Sequence, residues 1–225
     1  EILFERGIIT CSSTNENLLK IMLSNGVHDE RGENVDIDYP VSILGESRDG
    51  CTVIGGLYIQ GEVENNVYVK NLTFSKSMES AIFAEGASIH LDNVSVENSR
   101  HKGVEVYGTQ RNTMNNCNVF RSRKSGLCVY YGGLMTISGN ATTIHHNCQQ
   151  RDGGDYGLKT DISTSSIHLA SSLNIETISK NNGDGRNYGG GGTITSVDKD
   201  GKVLEVVFEG EEDEDTSSEE DEEYY

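Results

Sequence analysis

A repeat constrains this chain more than any other feature. Residues 67–74 (VYVKNLTF) align with 89–96 (IHLDNVSV), and 116–119 (NCNV) and 140–143 (NATT) continue the second half of the pattern. The asparagines Asn71, Asn93, Asn116 and Asn140 fall 22, 23 and 24 residues apart. Later, 167–175 (IHLASSLNI) repeats the Ile-His-Leu opening with one inserted residue. A second register runs beside the first: GVEVYG at 103–108, GLCVYYG at 126–132 and GLKTD at 157–161, with SAIFA at 80–84 in the same phase. Each unit is a short strand, a turn, a second strand, an Asn corner and a third strand. No unit holds the ten or more helix-periodic residues of a helical repeat. A period of 22–24 with alternation inside each strand describes a solenoid of β-coils, each stacked about 4.8 Å from the next.

Alternation assigns the residues to two sides. The inward ladders read Ala81, Val104, Leu127, Leu158 and Phe83, Val106, Val129, Thr160. Leu72, Val94, Cys117 and Phe74, Val96, Val119 form further ladders. Asn suits the corner because it tolerates left-handed backbone, and stacked amides can bond from coil to coil. The 26 glycines and single proline fit many tight turns and short strands.

Residues 14–26 (TNENLLKIMLSNG) read as a short helix with its cap at Thr14 or Asn15 and its stop at Gly26. Such a helix would cover the first coil and hide its edge. The expected organisation is an N-terminal segment with a capping helix over 1–26, a β-helix over 27–208 and a disordered acidic tail over 209–225. About seven coils fit, a rod on the order of 30 Å. The segments at 189–192 (four glycines), 193–197 and 203–208 read as a loosening last turn and a terminal hairpin or coil. The glycine run lacks the Lys-Ser/Thr and the helix of a phosphate-binding loop.

The segments NGVHDE (25–30), PVSILG (40–45) and TVIG (52–55), with the Asn-Leu-Thr-Phe corner at Asn71, resemble the opening of pectin-lyase-like right-handed β-helix proteins. The resemblance spans roughly 14–196. It implies an all-β, right-handed parallel β-helix, the handedness coming from the resemblance alone. For function it implies lyases, hydrolases, esterases, epimerases and also non-catalytic members.

Charge narrows the partners. The net charge is −18, and residues 209–225 carry eleven acids and no bases, which leaves 25 acids against 18 bases elsewhere. An acidic body argues against nucleic acid, whose phosphates need clustered Lys and Arg. The basic clusters Arg100, His101, Lys102 and Arg121, Arg123, Lys124 fall at equivalent turns and read as solvated. The apolar run at 18–23 is too short to span a membrane, and no signal peptide is visible. The chain opens on Glu1 rather than Met, which leaves room for an upstream segment.

Five cysteines at unequal spacings, with no CxxC or CxxH pair, read as free and mostly buried thiols rather than a zinc site. Thr216, Ser217 and Ser218 each precede an acid by three residues, the spacing of acidophilic kinase sites, which leans toward an intracellular protein. A solubilising tail is the simpler account. The N-x-S/T sequons at Asn71, Asn93 and Asn140 arise from the repeat itself and say nothing of secretion.

The most promising surface lies outside the 103–108 strand. Its outward columns read Ile82, Glu105, Cys128, Lys159 and Ala84, Tyr107, Tyr130, Asp161. Paired aromatics there can stack on sugar rings beside charged groups. Glu105, Tyr107, Tyr130 and Lys159 are the candidate binding residues. Glu105, Lys159 and Asp161 are the candidate catalytic ones, Lys159 as a base. Two carboxylates about 10 Å apart make a poor calcium site, which needs six to eight oxygen ligands. No cofactor is therefore expected, calcium entering only if the chain is an enzyme. His90 and His168 share a repeat position three coils apart and read as ordinary exposed residues. The residues favour a non-catalytic recognition or scaffold domain binding a glycan or protein along this face. The alternative is a carbohydrate-active enzyme, a polysaccharide lyase, hydrolase or epimerase, using the same face.

Overall fold

The computed structural model describes residues 18–62, 66–109, 111–150 and 153–210. The chain winds through about seven parallel turns, each contributing one strand to each of three faces. Face A stacks Leu19–Leu23, Val41–Gly45, Asn66–Lys70, Ser88–Asp92, Asn112–Asn115, Leu134–Ser138, Ser166–Ala170 and Thr193–Val197 in parallel. Face B stacks Thr73–Ser75, Ser95–Glu97, Asn118–Phe120, Thr143–His145 and Ser179–Lys180. Face C stacks Ile82–Glu85, Val104–Tyr107, Leu127–Tyr130, Leu158–Thr160 and Tyr188–Gly190. The long strands Gly26–Ile37 and Cys51–Gln60 pass through faces B and C without a break and join them into one sheet.

The alternating pattern packs the interior. Val53, Phe74, Val96, Val119 and Ile144 succeed one another on the inner side of face B, all buried. On face C the inner columns are Leu57, Ile82, Val104, Leu127, Leu158 and Ile59, Ala84, Val106, Val129, Thr160. Here the register differs by one residue from the sequence reading. Ile82, not Ala81, pairs with Val104, so Phe83 points outward and pairs with Glu105. Four other units enter face C on a glycine (Gly56, Gly103, Gly126 and Gly157), whereas this one enters on Ala81, so no glycine marks its register. Gly103 and Gly126 are needed there, since a Cβ would lie 2.3 Å from Val119 and 2.6 Å from Ile144 respectively.

The segment expected to form a capping helix does not. Leu19–Leu23 is a strand, with Ile21 and Leu23 buried and Met22 exposed, paired residue for residue with Val41–Gly45. Helix propensity in a Leu/Met-rich run is a weak prior, and pairing with the open edge of face A overrides it. Residues 14–17 lie outside the described residues. Leu19–Leu23 is the first strand of the solenoid among the described residues. The single α-helix among the described residues, Ile175–Ile178, is one turn capped by Asn174. At the far end Val203–Glu209 adds an antiparallel strand to Thr193–Val197, so Glu209 belongs to the fold rather than to the tail. The acidic tail beyond Gly210, expected to be disordered, lies outside the described residues.

The Asn corner holds for three coils. Asn71, Asn93 and Asn116 have φ of 57°, 54° and 51°, and the Asn93 amide donates to Asn71 Oδ1 at 2.9 Å. The fourth corner is two residues longer: Gly139 takes the positive φ, Asn140 is exposed, and Ser138 and Thr143 pair with Asn115 and Asn118. A second left-handed column, Lys76, Asn98, Arg121, His146 and Asn181, marks the corner leading out of face B. It escaped the repeat search because its residue types differ while its backbone does not. Buried Ser77, Ser99, Ser122, Asn147 and Asn182 follow it. Asn147 and Asn182 bond their neighbours' backbone, Asn147 Nδ2 donating to Val119 O and Asn182 Nδ2 to Ile144 O.

Candidate functional site

Face C turns a file of rings outward. Tyr58 and Phe83 stack with centroids 4.9 Å apart, Phe83 and Tyr107 are 5.1 Å apart, and Tyr107 and Tyr130 stack at 4.6 Å. Parallel in-register pairing forces this spacing. Tyr58 faces Phe83, and Tyr107 faces Tyr130, directly across the ladder. The rings spend their faces on one another, and the Tyr107 hydroxyl is taken by Glu105. This is a different surface from the open aromatic pair expected from the sequence.

Glu105 sits beside this file and is buried. Its side chain keeps 6% of its exposure and that of Lys102 keeps 17%. Lys102 Nζ donates to Glu105 Oε1 at 2.6 Å, the Tyr107 hydroxyl donates to the same oxygen at 3.1 Å, and Ser80 Oγ donates to Oε2 at 2.6 Å. Three of about four acceptor sites of the carboxylate are thus taken. Lys102 also lies 4.9 Å from the Tyr130 ring centre, close enough for a cation–π contact. Burial, then the Glu105 charge, pushes the Tyr107 hydroxyl above the ordinary tyrosine range, and burial does the same for Tyr130. Both phenols stay protonated donors.

Next to this network opens a cleft of about 450 Å³, lined by Glu33, Asp36, Tyr58, Glu79, Phe83, Lys102 and Glu105 among others. Glu33 and Asn34 on its wall lie where the long strand Gly26–Ile37 shifts register between Asp29 and Asn34. Asn34 then anchors the turn below, donating to Ser80 O and accepting from Ser77 Oγ. His101 Nδ1 lies 2.8 Å from Glu79 on the rim.

The candidates from the sequence divide. Glu105 and Tyr107 bond each other, and Tyr107 stacks on Tyr130. Lys159 follows Cys128 in the Glu105 column, two turns away, and makes no ion pair among the described residues. Asp161 lies beside Tyr130, its N–H donating to Val129 O, and does not approach Glu105. The corrected register replaces Ile82 by Phe83 and Ala84 by Glu85 in the outward columns. Sequence reasoning missed Lys102, taken as a solvated turn residue. Its spacing of three from Glu105 across a glycine was the available signal. It also missed Tyr58, which lies on the second long strand, Cys51–Gln60, before the recognisable repeat.

A family model for the right-handed beta helix region matches residues 55–199. The chain belongs to the right-handed β-helix family. Neither a curated protein nor a solved structure matches it. The match supplies the handedness that the repeat alone left open.

His90, His168 and the described cysteines do not line the face C cleft of this β-helix. His90 stacks on Tyr68 at 4.6 Å and bonds Thr113 and Asn66, while Thr113 and Thr136 separate it from His168. Burial, then Arg111, lowers its pKa. Among the described residues no group of three or more His, Cys, Asp or Glu is disposed to hold a metal ion, and no helix is long and apolar enough to cross a membrane. Cys51, Cys117, Cys128 and Cys148 are free and buried; Cys11 lies outside the described residues. Burial pushes the Cys51 thiol up to about 11 and the other three to about 12. Since the thiolate is the nucleophile, these four are expected to resist Ellman's reagent in the native chain at pH 7. Counting modified thiols before and after denaturation checks this, and rapid modification of all four without unfolding would contradict it.

Proposed function

We propose that this β-helix is a recognition module that binds a glycan in the face C cleft, without transforming it. The observation that supports the reading is the cleft itself. Fixed acceptors and donors (Glu33, Asp36, Asn34, Lys102) border a wall of ring edges held rigid by their own stacking. A groove with a few placed polar groups on an apolar wall suits sugar hydroxyls, which need both hydrogen-bond partners and an apolar contact. The saturated state of Glu105 favours binding over chemistry. A carboxylate already accepting from Ser80, Lys102 and Tyr107 is poised to hold its neighbours in place rather than to take a proton from a substrate.

The alternative, a carbohydrate-active enzyme, draws on the same network, because Lys102 and Tyr107 are proton-bearing groups on a shared carboxylate. One experiment separates the two. A panel of neutral and acidic oligosaccharides is titrated calorimetrically and followed for product, with and without calcium. Binding without product, weakened about tenfold or more by Tyr58→Ala or Phe83→Ala as at a central contact, is the expected result. Product formation lost in Glu105→Gln, Lys159→Ala or Asp161→Ala would establish the enzyme instead. Absence of both binding and product would overturn the glycan reading.

A further inference from the structure

The chain as a whole is acidic, yet its turns leading from face B to face C gather positive charge. The N–H of Arg100 donates to Ser77 O, that of Arg123 to Ser99 O and that of Lys124 to His101 O. The 121–124 turn therefore sits directly over the 99–102 turn, about 4.8 Å away. This stacks Arg123 on Arg100, with Arg121 alongside in the left-handed column and its guanidinium 5.6 Å from the Phe120 ring. Arg100, Arg121 and Arg123 are exposed, and none of them, nor Lys124, pairs with a carboxylate among the described residues. Like charges directly opposite across a ladder destabilise it, so this ridge stores a repulsion that an anion would relieve. Beside it lies a hollow of about 310 Å³ lined by Arg123, Gln149 and Gln150, whose side chains offer guanidinium and amide donors.

We propose that the ridge is the docking surface for the chain's own acidic segment, residues 211–225. Three arguments select this occupant. The segment carries ten carboxylates and no base, the complement of the ridge. It starts in the right place: Gly210 N–H donates to Gly192 O at 2.9 Å, at the corner where face C gives way to face A on the last turn. It also reaches. Fifteen residues extend to roughly 50 Å, enough to cross face C and descend the three turns, roughly 15 Å, to Arg100. Lys159, on the sixth turn of face C, lies along that route. The tail thereby screens one side of the solenoid from anionic partners outside the chain.

The test is hydrogen exchange of residues 211–225 in the full chain, measured by mass spectrometry at low and high salt. At low salt the segment is expected to exchange at least threefold more slowly than a free peptide of the same sequence. That protection is expected to vanish in about 0.5 M sodium chloride, where the Debye length shrinks to about 4 Å and exposed charges are strongly screened. The variant Arg100→Glu/Arg123→Glu/Lys124→Glu is expected to lose it at low salt, while Lys199→Glu, off the ridge, keeps it. Exchange at the free-peptide rate in the native chain at low salt overturns the proposal. So does protection that the ridge variant leaves intact. Binding of added poly-glutamate to the ridge with an unprotected tail would reassign the surface to an anionic partner in trans.

Discussion

Glu105→Ala is expected to lower the stability of the β-helix by on the order of 3 kcal/mol, a large effect for one polar side chain. The reason is what it leaves behind. Lys102 keeps only 17% side-chain exposure and would lose its counter-charge, while Ser80 Oγ and the Tyr107 hydroxyl would lose their acceptor. Removing one member of a buried pair strands the other, which costs more than the pair contributes when whole. Lys102 retains enough exposure to swing partly into water, which places the effect toward the lower end of the range for buried pairs. Glu105→Gln keeps the shape and one acceptor oxygen and is expected to cost clearly less. Urea unfolding of the three proteins decides it. A loss below about 0.5 kcal/mol for the alanine variant, the level of a surface substitution, would mean that the network is not structurally important.

Phe74→Ala is expected to cost about 3–5 kcal/mol and to lower the thermal midpoint by roughly 10 °C. Phe74 is fully buried between Val53 and Val96 in the inner column of face B. In a solenoid each turn is stabilised by its two neighbours, so a void at one turn weakens two interfaces. Scanning calorimetry checks the shift. A midpoint within 2 °C of the parent would show that the turns repack around the gap.

These two residues also show how much was legible beforehand. The period of 22–24, the alternation within each strand and the Asn corner at Asn71, Asn93 and Asn116 are local properties of the sequence. They repeat because each coil solves the same packing problem, so comparing the coils exposes the solution. Phe74 and its column, and the placement of Glu105, Tyr107 and Tyr130 on one outer face, followed from that comparison, whereas the stacking of Tyr107 on Tyr130 did not. The capping helix failed because the 18–23 run carries two signals at once. Its Leu and Met content favours a helix in isolation, while alternate burial of Ile21 and Leu23 appears only when Val41–Gly45 is there to pair with it.

What the sequence determined by itself was the solenoid, since a repeat fixes both the strands and which side of each faces the core. What only the tertiary structure decided was the chemistry of the surface. A one-residue change of register at residues 80–84 moved Phe83 from the core to the ring file. The register shift between Asp29 and Asn34 set Glu33 and Asn34 on the wall of the cleft. Lys102 folded inward from a turn to meet Glu105. The first two depend on how neighbouring coils pair and the third on how a side chain folds back within its own coil, and a period read along the chain carries no information about either.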